Sequence, residues 1–419
     1  MINADNIWIP EKTGYIKIKY TCNNMFSGGT PSTSDSRCYE NGDIPWIASG
    51  KCQDCDVTNE TTFITKYGLT HSSTRLIQPN SALIAMTGAT CGNAGLLKMR
   101  ACANQSVFAY ETNKNNEPRF LFYSIIAGRD SILLNQLGGA QAGINGQVCK
   151  NIFIPKQPLD KQISISNYLD KKTTAIDSMI EKEERTVEDL NEYKIRLISE
   201  KVKYGFDIVK KDSGIYWLGQ ISTNFQIMKL KYVCEVKEGL VDPRDEKYQN
   251  YPHIGPGNIE KFTGRLLDYN LVKDEDLISG KYLFDKNDVI YGKINPQLGK
   301  VCLPGFDGLC SADSYALKSN SKIVKRFLYY FLLSSEFVER ATMVSLRSAM
   351  PKINREELMI IEVVLPPLSN QNKIVDYLDK KCEAIDKLID LKQQKIEKLK
   401  EYEKSLIYEC VTGRREINA

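Results

Sequence analysis

The chain has 419 residues, of which 42% are hydrophobic and 26% are charged, and this composition indicates two or three folded domains rather than a disordered protein. Its net charge of +4 permits a nucleic-acid partner without requiring one. The opening MINADNIWIP lacks the features of a signal peptide, and the apolar runs FLFYSIIAG and FLYYFLLSS are too short to span a bilayer. These features predict a cytoplasmic protein with no membrane contact.

The first predicted domain covers residues 1–143. Short β-branched or aromatic segments separated by Gly, Pro and Asn predict the strands of a curved or barrel-like sheet, and a helix is expected near 118–134. The domain is therefore expected to be α+β. Its segments are, in order, YIKIKYTC ending at Cys22, IPWI from Ile44, NSALIAMTGATCGNAG from Asn80 and RFLFY from Arg119.

Residues 144–211 form the first predicted spacer. A proline-bearing extended stretch, IFIPKQPL, precedes apolar residues spaced alternately three and four apart, which is the seam pattern of a coiled coil. A helix from Leu169 to Tyr204 would be about 54 Å long. The seam residues are Leu169, Ile176, Ile180, Val187, Leu190 and Leu197.

Residues 212–352 form a second predicted domain with the same order of segments. QIMKLKYVC ends at Cys234, YPHI begins at Tyr251, KNDVIYGKINPQLGK begins at Lys286 and RFLYY begins at Arg326. A closing helix is expected near 322–340. This region therefore predicts a second α+β domain that is similar in architecture to the first and only faintly similar in sequence.

Residues 353–419 form the second predicted spacer, and they repeat the first. A shift of 209 residues places YLDKKTTAID from Tyr168 on YLDKKCEAID from Tyr377, and 24 of the 60 positions from 144 to 203 are identical without a gap. Two matching helices of equal length predict an antiparallel pair with a pseudo-twofold axis, which would hold the two domains at a set separation. The second seam contains Leu378, Ile385, Ile389, Ile396, Leu399 and Leu406.

The chain shows no recognisable catalytic motif. MTGATCGNAG lacks the GK[ST] ending of a P-loop, VDPRDEK is the only acid-rich candidate for a nuclease, and the prolines of LPPL follow an apolar residue rather than Asn or Asp. The 12 cysteines are scattered and are expected to be reduced. Cys52 and Cys55 form a lone CxxC, which His71 and Cys38, Cys91 or Cys102 could complete, but a single CxxC is weak evidence for a zinc site. The sequence therefore favours a binding or scaffold protein with no metal and no cofactor of its own.

The whole chain resembles the specificity (S) subunit of type I restriction–modification systems. The resemblance is carried by the two copies of PL…Q…I…YLDKK…AID, by SGIYWLGQISTNFQIMKLKYV from Ser213 and by IPWIASGK from Ile44. It implies two target-recognition domains that each read half of a bipartite double-stranded DNA site, and a chain that catalyses nothing. It also implies two methyltransferase (M) subunits docked on the helices, with restriction (R) subunits joining them. S-adenosylmethionine and ATP would then be bound by the partners.

Base-edge readers on loops, together with cations and backbone donors for phosphates, are the residues expected at DNA. In the segment Ser27–Thr30, backbone amides could approach a phosphate. The candidates in the first domain are Gly28, Gly29, Lys51, Arg75, Thr87, Thr90, Asn93, Lys98 and Arg100. Those in the second domain are Arg244, Lys261, Arg265, Lys293, Asn295, Gln297, Lys300 and Arg347.

The repeated helices carry the predicted docking residues for the methyltransferase subunits. The first helix contributes Tyr168, Asp170, Lys171, Asp177 and Tyr193. The second contributes Tyr377, Asp379, Lys380, Asp386 and Tyr402. An alternative reading of the same pattern is a cytosolic coiled-coil scaffold with two ligand-binding domains and no role at DNA.

Overall fold

The computed structural model describes residues 8–136, 143–345 and 351–417. The chain forms two compact units. Unit 1 combines Met1–Lys182 with Lys395–Ala419, and unit 2 is the continuous stretch Glu183–Gln394. Each unit therefore holds one of the two predicted α+β domains together with part of both predicted spacer helices.

The first half of the chain alternates short strands with short helices and ends in one long helix. Its elements are β1 (Tyr15–Lys17), β2 (Cys22–Ser27), β3 (Ile44–Ile47), β4 (Cys55–Val57), β5 (Phe63–Ile64), α1 (Lys66–Thr70), β6 (Ser81–Ala85), β7 (Ala94–Leu97), β8 (Cys102–Ala103), β9 (Val107–Thr112), α2 (Pro118–Ala127), α3 (Arg129–Leu133), α4 (Gly146–Asn151), β10 (Phe153–Pro155) and α5 (Leu159–Tyr204).

The second half repeats this plan. Its elements are β11 (Lys210–Asp212), β12 (Gln220–Ser222), β13 (Gln226–Lys229), β14 (Cys234–Val236), β15 (Leu240–Val241), β16 (His253–Ile254), β17 (Lys281–Phe284), β18 (Val289–Gly292), β19 (Val301–Cys302), β20 (Gly308–Cys310), β21 (Ser314–Ser319), α6 (Lys325–Leu333), α7 (Ser335–Ser345), α8 (Arg355–Met359), β22 (Glu362–Leu365) and α9 (Leu368–Val411).

The main sheet of unit 1 has the strand order β2-β9-β6-β7-β4, and a smaller sheet has the order β5-β3-β8. Unit 2 has two four-stranded sheets, β14-β21-β18-β19 and β15-β17-β20-β16. In both units a short strand near the start of the domain pairs antiparallel with the strand before a long helix, as β1 with β10 and β13 with β22. The predicted α+β architecture is confirmed.

The short helices α2 and α6 each cover one face of a main sheet, and they bury the RFLFY and RFLYY segments. Phe120 and Leu121 are 2% exposed, and Phe327 and Leu328 are fully buried. The apolar side chains of these helices join the seam of the long helices in one continuous core in each unit. Removing this much apolar surface from water is the main force that holds each domain on its helices.

The seam residues of the long helices are largely buried. In unit 1, Ile176 and Ile180 share a core with Ile396 and Leu406. In unit 2, Leu197 shares a core with Ile385, Ile389 and other α9 side chains. Val187, Leu190 and Leu399 are only partly buried. The 3–4 spacing in the sequence therefore does mark the packed stripe of each helix.

Within each unit the two helical segments run antiparallel. In unit 2, Glu183 lies 2.7 Å from Lys392, and Lys194 further along α5 lies 2.7 Å from Asp386, which comes earlier in α9. In unit 1, Tyr168 on α5 lies near Arg415, which follows α9. Asp177, later in α5, lines the same cleft as Glu403, which comes earlier in the chain than Arg415. Within each unit, the segments of α5 and α9 therefore run in opposite directions.

Helix α5 begins ten residues before the predicted start. Pro158 precedes its first residue, Leu159, and proline is well tolerated next to a helix start because the first turn needs no backbone donor. Asp160 in the first turn also favours the start, since its carboxylate complements the helix dipole. In the described residues, no helix is both long enough and apolar enough to cross a membrane.

Candidate nucleic-acid interface

Several of the predicted DNA-contacting residues of unit 1 gather at one end of its main sheet. The loop after β6 carries Thr87, whose hydroxyl group lies 2.7 Å from that of Ser106. Ser106 belongs to the turn before β9, where Gln105 accepts a hydrogen bond from Thr30. The three loops are brought together because β2, β9 and β6 are neighbours in the sheet. This loop end of unit 1 exposes mainly neutral hydroxyl and amide groups.

Unit 2 has an equivalent loop end with different side chains. The loop after β18 includes Asn295, which has a left-handed φ of 51° and starts the turn Pro296–Leu298. Asparagine tolerates this region because its short polar side chain can bond locally. The backbone N–H of Lys293 donates to Asp313 O at 3.0 Å, so this loop lies beside the turn before β21. The loop after β18 therefore carries Lys293 and Asn295 among its first residues, whereas the loop after β6 carries Met86 and Thr87.

A repeated backbone hydrogen bond shows that the two loop ends are equivalent. Ile144 N donates to Met86 O at 2.8 Å in unit 1, and Ile353 N donates to Lys293 O at 3.0 Å in unit 2. Ile144 and Ile353 are related by the 209-residue repeat. The scaffold therefore holds two chemically different loops in the same position.

The predicted cations differ in their freedom to reach a nucleic acid. Arg75 and Arg100 are exposed in unit 1, as is Lys261 in unit 2. Lys51 lies 3.8 Å from Glu60, and Lys98 lies 4.0 Å from Asp56. The Lys98 contact is long and lies at the surface, so it would release this lysine at little cost. The Glu60 side chain is only 4% exposed, so Lys51 is held by a buried carboxylate.

Four predicted residues of unit 2 already have partners within the unit. Arg244 makes two hydrogen bonds to Asp242, at 2.9 and 2.7 Å, and this lowers the pKa of that carboxyl group to about 2. Arg265 lies 3.0 Å from Asp390 on α9. Lys300 donates to the Pro256 carbonyl group. Lys293 is buried with its ammonium group 4.9 Å from the Tyr315 ring centre, and burial lowers its pKa.

The remaining predicted positions lie in or near the loop ends. Thr90 and Asn93 are partly buried in the turn after Thr87, and Gln297 lies in the turn after Asn295. The Nε2 group of Gln297 lies 3.4 Å from Asn295 Oδ1. Arg347 lies outside the described residues.

The prediction that Gly28 and Gly29 present backbone amides to a phosphate is wrong. Both residues are buried, and their N–H groups already donate to Val107 O at 3.0 Å and Ala103 O at 2.8 Å. A Cβ at Gly28 would lie 2.0 Å from Ala103 O. These glycines therefore allow two segments of backbone to pack closely, and their donors are used inside the unit.

The aspartates of the two YLDKK segments bind an arginine and a tyrosine of the neighbouring domain. Asp170 accepts from Tyr123 Oη at 2.7 Å and lies 3.1 Å from Arg119 Nε. Asp379 accepts from Tyr330 Oη at 2.6 Å and from Arg326 at 2.6 and 2.9 Å. In each unit this contact ties α2 or α6 to a long helix. The repeated aspartate therefore has an intramolecular role, and its predicted docking role remains a prediction.

The other predicted docking residues fall into a half-buried and an exposed group. Tyr168 lies near Arg415, and Tyr377 packs edge-on against Phe206 with ring centres 5.4 Å apart. Asp386 is paired with Lys194. The exposed predicted docking residues are Lys171, Asp177, Tyr193, Lys380 and Tyr402.

Sequence reasoning gave no role to the repeated glutamine. Gln162 accepts a hydrogen bond from Glu117 N at 2.8 Å, and Gln371 accepts one from Val324 N at 2.7 Å. Each amide also donates to the carbonyl five residues earlier, at 2.8 Å. The glutamine thus satisfies a backbone donor just before α2 or α6 begins. Its identity in both copies of the repeat, after RFLFY and after RFLYY, was the available signal.

One pair of equivalent residues has opposite charges in unit 2 and like charges in unit 1. Lys194 in unit 2 bonds to both oxygens of Asp386, at 2.7 and 2.9 Å. The equivalent residues of unit 1, shifted by 209, are Glu403 and Asp177, which are both acidic. They line a cleft of about 740 Å³. Burial, with Asp177 and Asp54 nearby, raises the pKa of Glu403 to about 7.

No group of three or more His, Cys, Asp or Glu side chains suited to a metal ion occurs in the described ranges. Cys52 is buried and Cys55 is exposed, and burial raises the pKa of Cys52 to about 12. A thiol held protonated in this way is a poor metal ligand, because metals bind the thiolate.

The fold defines a duplicated protein of two α+β domains, each packed on paired long helices. A sequence model described as the type I restriction modification DNA specificity domain matches residues 10–189 and again 222–401. The chain belongs to this family. The two matches each include one predicted recognition domain and most of the following helix.

Individual relatives agree with the family assignment. The chain is 25% identical over 354 residues to the MjaVIII specificity subunit of Methanocaldococcus jannaschii, covering 81% of this chain and 80% of that one. It is 37% identical over 158 residues to the EcoDI specificity subunit of Escherichia coli, covering 38% of this chain and 35% of that relative. The chain thus matches about a third of the EcoDI subunit's length.

A solved structure shares the fold. It concerns complex assembly and conformational transition of the type I R-M system, and one of its chains superposes with a TM-score of 0.71 at 16% identity. The match covers 97% of this chain and 99% of that chain. At this identity the similarity shows the fold alone.

Proposed function

We propose that the chain is the DNA specificity subunit of a type I restriction–modification complex, and that its two units read two different half-sites of one split target. The observation that carries the proposal is that a repeated scaffold holds unlike loops at the same end of each main sheet. A scaffold that repeats while its loops diverge is expected where the binding mode is shared and the sequence read is not.

The chemistry of the two loop ends supports base reading. In unit 1, Thr87 and Gln105 provide hydroxyl and amide groups, which form hydrogen bonds with base edges. In unit 2, Asn295 and Gln297 provide amides, which pair well with adenine. The exposed Arg75 and Arg100 fit the phosphate contacts that position a protein on a duplex without reading its sequence.

The long helices are proposed to set the spacing between half-sites and to dock two methyltransferase subunits, with restriction subunits joining that core. The chain itself is proposed to be non-catalytic, so that S-adenosylmethionine and ATP are bound by the partners. Two similar helical surfaces on one chain suit two copies of the same partner. The alternative hypothesis, a coiled-coil scaffold protein with no role at DNA, is not supported, because the DNA specificity domain model matches both halves of the chain.

Mapping of DNA methylation tests the proposal. The chain is reconstituted with its methyltransferase subunits, and the modified sites are read by single-molecule sequencing. We expect a bipartite, non-palindromic motif that depends on this chain. Exchanging residues 1–143 for the corresponding domain of another family member should change one half of the motif, and exchanging 212–352 should change only the other half.

The two exchanges serve as controls for each other. A motif that changed in both halves after either exchange would contradict independent reading by the two units. If no split motif depended on the chain, the proposed function itself would be wrong, and a scaffold without a role at DNA would then explain the fold better.

A further inference from the structure

Two short segments that differ only in their apolar residue form a turn at the surface of each unit. Lys17-Ile18-Lys19-Tyr20 follows strand β1 into a 3₁₀ turn, and Lys229-Leu230-Lys231-Tyr232 does so after β13. We call each of these segments a lysine–tyrosine turn. The apolar residue of each turn is fully buried, whereas Tyr20 and Tyr232 are 64% and 52% exposed. The tyrosine rings are therefore left in solvent by the packing that holds the turn.

The two turns are held by the same internal bonds. Ile18 N donates to Ile152 O, and Leu230 N donates to Ile361 O, both at 2.9 Å. A side-chain amide holds each tyrosine carbonyl, from Asn113 at 3.3 Å and from Asn320 at 3.0 Å. These bonds fix the backbone of the turn without using the lysine or tyrosine side chains. The fold of each turn therefore does not require its lysine and tyrosine side chains.

Each lysine–tyrosine turn presents positive charge beside an aromatic ring. The Lys19 ammonium group lies 5.2 Å from the centre of the Tyr20 ring, and that of Lys231 lies 5.0 Å from the centre of the Tyr232 ring. Within the part of the chain that the structure describes, no carboxylate is recorded within 4 Å of either ammonium group. Lys19 is half-buried and Lys231 is exposed, and an exposed lysine, Lys114 or Lys322, lies one or two residues after the supporting asparagine.

The turns lie away from the loops that are proposed to read DNA. In unit 1, strand β2 has its first residue at the lysine–tyrosine turn and its last residue at the loop end, where Ser27 pairs with Phe108. In unit 2, β21 runs from Ser314 at the loop end to Ser319, which pairs with Cys234 beside the turn. Five residues of strand span about 17 Å. Each turn therefore lies at the opposite end of the main sheet from the loop end of its unit.

We propose that each lysine–tyrosine turn docks an acidic surface of a protein partner, with one copy of the same partner on each unit. The loop ends differ between the units because they would read different sequences, whereas a surface presented twice unchanged suits one partner bound twice. Tyrosine is enriched at protein interfaces, where its ring supplies contact area at low conformational cost, and lysines favour an acidic counterpart.

This inference rests on the proposed function, in which the twofold partner is the methyltransferase subunit. It adds a contact on the recognition domains to the contact proposed for the long helices. The distance between turn and loop end favours a protein over the DNA duplex as the occupant. Binding of the DNA backbone at the turns is the competing outcome of the test.

Charge reversal in the assembled complex tests the inference. The variants Lys19→Glu and Lys231→Glu alter one turn each, and a double variant alters both. Matched controls are Lys66→Glu in unit 1 and Lys273→Glu in unit 2, which reverse an exposed lysine away from the turns. The number of methyltransferase subunits per chain is measured by native mass spectrometry, and their affinity is measured by titration.

We expect each turn variant to weaken one of the two partner sites at least tenfold, so that complexes with a single methyltransferase subunit accumulate. The double variant should weaken both sites, and the control variants should keep both subunits. Equal partner affinity in turn and control variants would overturn the inference. Unchanged partner affinity with weakened DNA binding would also overturn it and would assign the turns to the DNA backbone.

The test separates this inference from the proposed function. If the wild-type chain binds two subunits and directs methylation while the turn variants do the same, only the docking inference fails. If the wild-type chain directs no methylation of a split motif, the proposed function fails whatever the turn variants do. Far-ultraviolet circular dichroism of each variant checks that the charge reversal leaves the fold intact.

Discussion

Replacing Glu403 with lysine should stabilise unit 1, because it would copy the pairing that unit 2 already has. Lys194 bonds to both oxygens of Asp386, whereas Glu403 faces Asp177 at the equivalent place. In Glu403→Lys an ammonium group would replace the repelling carboxylate. The gain is expected at a pH where the wild-type glutamate is ionised.

The size of the effect follows from the raised pKa. Burial and the nearby Asp177 and Asp54 raise the Glu403 pKa from 4.5 to about 7. At about 1.4 kcal/mol per pKa unit the upper limit is about 3.4 kcal/mol, and solvent screening of the half-buried group reduces it to about 1–2 kcal/mol. A carboxyl group with a raised pKa favours folding below pH 4.5, and this contribution is lost as pH rises through 7.

Amide hydrogen exchange of residues 395–411 provides a local readout. At pH 8, exchange in this segment should be slower in Glu403→Lys than in the wild type, and the difference should shrink at pH 5. Glu403→Gln should fall between the two, since it removes the charge without forming a pair. Glu401→Lys, at an exposed position on the same helix, is the matched control for the change in net charge.

Two results would refute this reasoning. Equal exchange in Glu403→Lys and Glu401→Lys at pH 8 would show that net charge, rather than the Asp177 contact, governs the segment. An advantage of Glu403→Lys that was as large at pH 5 as at pH 8 would show that ionisation of Glu403 is not the cause.

Other substitutions test the packing of each unit. Gly28→Ala should abolish folding of unit 1, seen as loss of its exchange protection, because the new Cβ would strike Ala103 O, whereas Gly50→Ala, which meets nothing within 4 Å, should be neutral. Asp379→Asn should cost unit 2 about 1–2 kcal/mol in denaturant titration, because Arg326 and Tyr330 would lose an ionised acceptor. Lys380→Gln changes an exposed residue and should leave the free energy of unfolding almost unchanged. Equal losses of stability in Asp379→Asn and Lys380→Gln would contradict the role of Asp379 in holding Arg326 and Tyr330.

Local and periodic features were predictable from the sequence. The 3–4 spacing marked the buried stripe of both long helices, and the RFLFY and RFLYY segments marked the helices that cover the sheets. The start of α5 was placed ten residues late, since the residues after Pro158 do not yet follow the seam. Helix boundaries depend on capping and on packing as well as on periodicity, so they are less certain than helix existence.

Long-range pairing was not predictable. Arg119 contacts Asp170 across 51 residues of sequence, and the same contact recurs between Arg326 and Asp379. The repeated aspartate therefore looked like an exposed docking residue until its partners were seen. Repetition marks a residue that makes an internal contact in the same way as one that binds a partner, and only the tertiary structure distinguishes the two roles.

The sequence by itself determined that this protein is a duplication, because 24 identities at one constant offset need no coordinates to be seen, and an apolar seam shows which helix face is buried. Only the tertiary structure showed which loops lie at the same end of a sheet. It also showed that the backbone N–H groups of Gly28 and Gly29 donate within the unit, and that Glu403 lies near Asp177. These properties depend on which distant segments become neighbours, and one-dimensional periodicity carries no information about that.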